Sequence, residues 1–135
     1  MQHALGSFWR RQGGASAVEF ALVVPPLIIV LLGAINFCIV LYANETLAYA
    51  AEEGARCMAV KTNVCSDVTT TQTYAAKMYK GPGISPTFTP TTTTCGGANG
   101  ATGSQVVASG TYTLSLGIGA INVPLSATAC FPNQT

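Results

Sequence analysis

The sequence predicts an α+β protein. A long N-terminal transmembrane α-helix is followed by a small exported head with a short helix and an antiparallel β-sheet of three strands or slightly more. Three observations carry this expectation. Residues 20–42 form a long, largely apolar run without a charge. The next segment, Ala43 to Lys61, is rich in Ala and free of Pro, so the helix is expected to continue through it. Beyond residue 103, two stretches alternate apolar and polar residues with the period of a strand.

The span follows from length. The run FALVVPPLIIVLLGAINFCIVLY, residues 20–42, covers about 35 Å as a helix. A bilayer core is about 30 Å thick, so the run crosses it with some tilt. Arg10 and Arg11 precede it, and no positive charge follows until Arg56, while Glu45, Glu52 and Glu53 intervene. The positive-inside bias therefore predicts a cytoplasmic N-terminus and an exported C-terminal part, in a single pass. Trp9 and Tyr42 fall near the two interfaces. Pro25 and Pro26 each remove a backbone donor. The plain expectation is a tolerated kink; the sharper one is a bend or a melted turn used in packing with other subunits.

The residues just before the span are the most informative: Gly13-Gly14-Ala15-Ser16-Ala17-Val18-Glu19-Phe20. A carboxylate at the edge of an apolar run is costly to bury unpaired, and by itself Glu19 reads as a headgroup-level flank. Spacing adds a second reading. If the chain is cut after Gly14, Ala15 carries a new α-amino group, and Glu19 becomes the fifth residue, about one helical turn away. The amine and the carboxylate can then pair within the chain or between neighbouring subunits. The helix dipole also favours negative charge near its N-terminus.

A short leader with basic residues ending in Gly, a Glu five places on and a long apolar helix resembles the type IV prepilin pattern. The Glu19-Phe20 pair, the early Pro25-Pro26 and the stretch from Ala51 to Arg56, Ala-Glu-Glu-Gly-Ala-Arg, resemble TadE-like proteins. These are minor pilin-like components of the tight-adherence (Flp) pilus system. Phe20 departs from the Tyr common in that branch and keeps the aromatic ring. The resemblance covers residues 14 to 60 and is looser over the head. It implies a type IV pilin-like architecture, with a leader at 1–14, a helix at 15–62 that is transmembrane at 20–42, and a head at 63–135. It also implies a prepilin peptidase that cuts between Gly14 and Ala15, and a role for Glu19 and Phe20 in processing or assembly register. The competing A-x-A site, Ala48-Tyr49-Ala50, follows a run far longer than the ~7–15 residues of a signal peptide. The sequon Asn44-Glu45-Thr46 falls within the expected helix and is set aside.

Past the span, Leu47, Ala50, Ala51, Cys57 and Met58 lie near one helix face with Gly54 close by, while Glu45, Glu52, Glu53 and Arg56 take the others. The small residues Ala48, Ala50, Ala51, Gly54 and Ala55 would let another helix approach closely. The protein's own head is expected to cover the last two turns, so the helix is divided between the two uses.

In the head, Ser66 or Asp67 can cap a short helix over residues 66–79, with Val68, Thr71, Ala75 and Met78 in a stripe and Gly81-Pro82-Gly83 ending it. Pro86 and Pro90 mark residues 84–95 as an edge strand. Along residues 104–116, Val106, Ala108, Tyr112, Leu114 and Leu116 face one way, and Gln105, Ser109, Thr111, Thr113 and Ser115 the other. Residues 121–131 place Ile121, Val123, Leu125, Ala127, Ala129 and Phe131 on one face. Gly96 to Gly103 and Gly117 to Ala120 read as the loops between strands.

Five cysteines are present. Cys38 falls in the span and reads as an apolar residue. Cys57, Cys65, Cys95 and Cys130 suggest two disulfides in an oxidising compartment and allow three pairings. Sequence proximity favours Cys57–Cys65 with Cys95–Cys130; connectivity stays open. A sheet this small needs such staples.

Chemistry is not expected. The only histidine is His3, and after Lys61 the charged residues are Asp67, Lys77 and Lys80. No nucleophile–base constellation, phosphate loop or metal-ligand set can be named, so the chain reads as no enzyme, with no cofactor and no small-molecule substrate. A net charge of +1 without a basic stripe gives no nucleic-acid partner. The expected partners are the membrane, a prepilin peptidase and other pilin or pilin-like subunits through the N-terminal helix. The expected place is the bacterial inner membrane, with the head periplasmic or extracellular, or within the pilus. Two roles remain: a minor pilin-like subunit in pilus biogenesis and surface adhesion, or a bitopic anchor whose head binds an envelope partner without filament assembly.

Overall fold

The computed structural model describes residues 12–96, 100–115 and 119–133. The aromatic Trp9, the basic pair Arg10-Arg11, His3 and most of the leader lie outside the described residues, as do the loop centres 97–99 and 116–118, which include Leu116. The chain divides into two compact units, Met1–Phe37 and Cys38–Thr135.

The first unit is helical from Gln12 onward, as the opening part of α1 (Gln12–Val60). Its helix is unbroken through Pro25 and Pro26, so no melted turn is present there. Those prolines leave the carbonyls of Ala21 and Leu22 without their i+4 amide donors. The side chains from Phe20 to Ile35 are exposed, apart from half-buried Val24. α1 holds a stretch long and apolar enough to cross a membrane, none of which is buried within the chain. Asn36 returns its amide to the Leu32 carbonyl at 2.8 Å, which satisfies a polar side chain inside the apolar run.

The second unit holds the end of α1, α2 (Val68–Met78) and strands β1 (Thr87–Cys95), β2 (Ala101–Ser115) and β3 (Ala120–Pro132). The strands form one antiparallel sheet in the order β1-β2-β3. The core lies between one sheet face and the two helices. Ala43, Leu47, Ala50, Ala51 and Ala55 meet Ala75, Phe88, Val106, Ala108 and Leu125. Alternation along the strands is as expected: Val106, Ala108 and Leu125 are buried, while Ser109, Thr111, Thr113 and Ser115 are exposed. Two details differ. Ile121 is 53% exposed although it shares the parity of the core face. The β1–β2 loop is shorter than residues 96–103, because β2 already pairs with β1 at Ala101.

Asp67, and not Ser66, caps α2. Its carboxylate accepts from the Thr70 amide at 2.8 Å, and Thr70 Oγ1 accepts from the Asp67 amide at 3.1 Å. Together these satisfy two of the amides that a helix start leaves open. Thr71 is fully buried and donates its hydroxyl to the Asp67 carbonyl at 2.8 Å. Val68, which the stripe assigns to the core, is 49% exposed.

The own head covers more of α1 than the last two turns. Burial runs from Ala43 to Cys57 along the stripe Ala43, Leu47, Ala50, Ala51, Gly54, Ala55 and Cys57. A Cβ placed on Gly54 would lie 3.1 Å from Ala75 Cβ and 3.5 Å from a methyl of Val106. Gly54 therefore admits α2 and β2 closely, and the head takes more turns of this face than the two expected for it.

Candidate functional site: the N-terminal helix and its stapled head

The sequence-predicted site residues fall into two groups, one in each unit. In the first unit Gly14 is exposed at the start of α1, and a Cβ added there would meet nothing within 4 Å. The Gly14–Ala15 bond thus lies in the first turn of a helix that has already formed at Gln12. Helix ends fray, and adjacent glycines at 13 and 14 lower the cost of opening that turn by about 1 kcal/mol each relative to Ala. Glu19 is exposed one turn beyond Ala15, and Phe20 beside it is 71% exposed. Their neighbours Val18, Leu22 and Val23 are also more than half exposed. Among the described residues, an exposed carboxylate is set beside exposed apolar side chains.

In the second unit the cysteines pair as Cys57–Cys65 and Cys95–Cys130, with Cα separations of 5.8 and 5.7 Å. The first bond ties the last turn of α1 to the turn that follows. There the Lys61 amide donates to the Cys57 carbonyl at 2.8 Å, and the Cys65 amide to the Lys61 carbonyl at 2.9 Å. The second joins the two outer strands across β2. It passes over Gly103, where a side chain would collide with Cys95 Sγ and the Phe131 carbonyl. Next to it Ser104 is buried and donates to Asn133 Oδ1 at 3.0 Å. Cys38 is free and exposed.

Sequence reasoning missed Gly103 and Ser104, which were assigned to a loop and to a strand start. It also missed the docking of the segment after α2. The Tyr42 hydroxyl donates to the Lys80 carbonyl at 3.3 Å, and the Tyr79 hydroxyl to the Pro82 carbonyl at 2.8 Å. Thr46 Oγ1 and the Tyr79 hydroxyl occupy the space a side chain on Gly81 would need. Burial pushes the Tyr79 phenol above its usual range, which keeps it a donor. No spacing rule links residues 42 and 80. Among the described residues no cluster of three or more His, Cys, Asp or Glu could hold a metal ion. The depression on the outer sheet face, lined by Ser85, Thr87, Ser109, Thr111 and Ser126, holds no acid or base.

The helix that carries Gly14, Glu19 and the stripe up to Arg56 is the part that comparison with known proteins recognises. Residues 14–56 match the TadE-like protein family. The TadE-like segment begins at Gly14 and takes in Glu19, Phe20, both prolines and the Ala51–Arg56 stretch. It spans the apolar run and the α1 stripe on which the head packs; the sheet and α2 lie beyond it. Comparisons with curated proteins and with solved structures give no match. The TadE-like match suggests a protein associated with the tight-adherence pilus, in a membrane context. With one apolar helix near the N-terminus it also suggests a membrane-anchored protein.

Proposed function

We propose that this chain is a minor pilin-like structural or assembly subunit of a tight-adherence pilus, contributing to pilus biogenesis and surface adhesion. A prepilin peptidase processes it between Gly14 and Ala15. The mature chain sits in the bacterial inner membrane with its head on the exported side, and its helix joins other pilin or pilin-like subunits. The supporting observation is the TadE-like match that begins at Gly14 and runs through an exposed Glu19 into an apolar helix. In lipid, a carboxylate at Glu19 needs a partner. The new α-amino group of Ala15, its own or a neighbour's, supplies one.

The alternative, a bitopic anchor whose head binds an envelope partner, draws support from one finding. The head occupies the small-residue face of α1 from Ala43 to Cys57, so that face is closed to a helical bundle. N-terminal mass analysis of the membrane-extracted protein, made in a host with the cognate peptidase, separates the two. The pilin-like reading expects a chain that starts at Ala15. An intact Met1 would favour the anchor.

A further inference from the structure

We infer that the membrane-facing end of the head, the end of the β2–β3 pair that carries Leu114 and Ile121, seats on the lipid surface of the exported leaflet. The inference rests on the span assigned to residues 20–42 and is independent of pilus assembly.

Direction along the head comes from its own contacts. Val106 lies against Gly54 of α1, and Thr128 to Phe131 lie beside Ala48, Glu52 and Ala55. Four residues further along β2, Gly110 lies against Ile84, which follows the segment docked on Thr46 and Tyr42. Moving from Val106 to Gly110 therefore descends α1 from Gly54 toward Tyr42. Beyond that level Tyr112 pairs with Val123, and both pack on the core together with Val40 of the span. The next pair on that face is Leu114 with Ile121. Ile121 is eight residues past Ala129, about 26 Å of strand. The helix from Glu52 to Tyr42 covers only about 15 Å. Even a tilted strand therefore reaches the level of residues 38–42, the last of the span that belong to the head unit.

The chemistry at that end fits lipid. Ile121 is 53% exposed, Leu41 49% and Tyr42 54%. Residues 81–135 contain no charged side chain, so nothing in the hairpin opposes transfer into the interface. Lys80, exposed and held by its carbonyl to Tyr42, supplies a cation at the level of the lipid phosphates. Tyr42 and Tyr79, which hold the segment around Lys80, are aromatics of the kind found at that depth. Water would leave Ile121 and Leu41 exposed at a cost; the bilayer that α1 already enters covers both.

Tryptophan quenching tests this on the full chain. With Trp9→Phe as background, single tryptophans are placed at Ile121, at Leu31 in mid-span and at Thr91 on the outer sheet face. Each variant is reconstituted in phosphatidylethanolamine–phosphatidylglycerol vesicles whose acyl chains carry bromine near the glycerol end. Ile121→Trp is expected to be quenched severalfold more than Thr91→Trp, with a blue-shifted emission. Quenching at Leu31→Trp with none at Ile121→Trp overturns the seating and leaves the span intact. No quenching at either position overturns both. A blue shift at Ile121→Trp that grows with protein concentration, without quenching, assigns this end to a second copy of the chain and overturns the lipid assignment.

Discussion

Asp67 shows how one side chain sets the start of an element. Its carboxylate accepts from the backbone amide and the hydroxyl of Thr70, and the amide above all holds it below the ordinary value of 3.8. A carboxyl with a depressed folded-state pKa contributes stability above its unfolded pKa and loses it as pH falls through the folded one. Acid should therefore lower the melting temperature of the head between about pH 4 and the lower folded value. Asp67→Asn should keep the cap and remove that part of the acid dependence, as read by melting curves across this range. Gly103 is the second such residue. A methyl there would meet Cys95 Sγ and lie 2.6 Å from the Phe131 carbonyl. Gly103→Ala should cost about 1–3 kcal/mol, in the range of overpacked sites, and reduce the fraction of Cys95–Cys130 disulfide. Chemical denaturation and mass mapping without reductant would read both; an unchanged midpoint would count against the crossing.

At the scale of elements, each edge of the sheet is managed differently. On β1 the Phe88 carbonyl points outward and accepts from the Gln72 side chain of α2 at 2.9 Å. Pro90 shares that parity, so the donor it lacks is an outward one and the ladder to β2 loses no bond there. On β3 the inward parity is set by Asn133, whose amide donates to the Thr102 carbonyl at 3.0 Å. Pro124 and Pro132 have the other parity and remove outward donors from an edge that could recruit a foreign strand. The two disulfides close chain segments of 8 and 35 residues. In the chain-entropy account the longer closure stabilises more, by about 1 kcal/mol. Cys95→Ser with Cys130→Ser should thus lower the unfolding free energy by about 1 kcal/mol more than Cys57→Ser with Cys65→Ser. Denaturant titration of the two double variants tests this, and equal losses would point to native-state effects in place of loop closure.

At the scale of the whole chain, polarity is divided between the parts. Among the described residues, the side chains from Phe20 to Ile35 are exposed apart from Val24, whereas the head has a closed core and two covalent staples. Each part therefore meets a separate demand: the helix requires lipid or other helices around it, and the head holds together by its own packing. In the proposed subunit, Glu19→Ala should leave membrane insertion unchanged, because it removes a charge from the edge of the span. It should reduce incorporation into pili, as measured by the subunit recovered in sheared filaments against that in the membrane. Equal recovery would remove Glu19 from assembly.

The order of residues alone settled what depends on local pattern. The uncharged run at 20–42 is long enough for a bilayer, and the Ala-rich continuation forms helix, because both properties need only neighbours in sequence. Strand alternation at Val106, Ala108 and Leu125 showed which face is covered, and the capping sequence located α2 to within a residue. What covers each face came only from tertiary structure. Gly54 and its alanines read equally well as a surface for a foreign helix, until Ala75 and Val106 were found against them. Gly103 read as loop until a disulfide was found crossing it, and Tyr42 gave no sign of Lys80. Close approach between distant segments leaves no periodic trace: a small residue records that something comes near, and only the fold decides what.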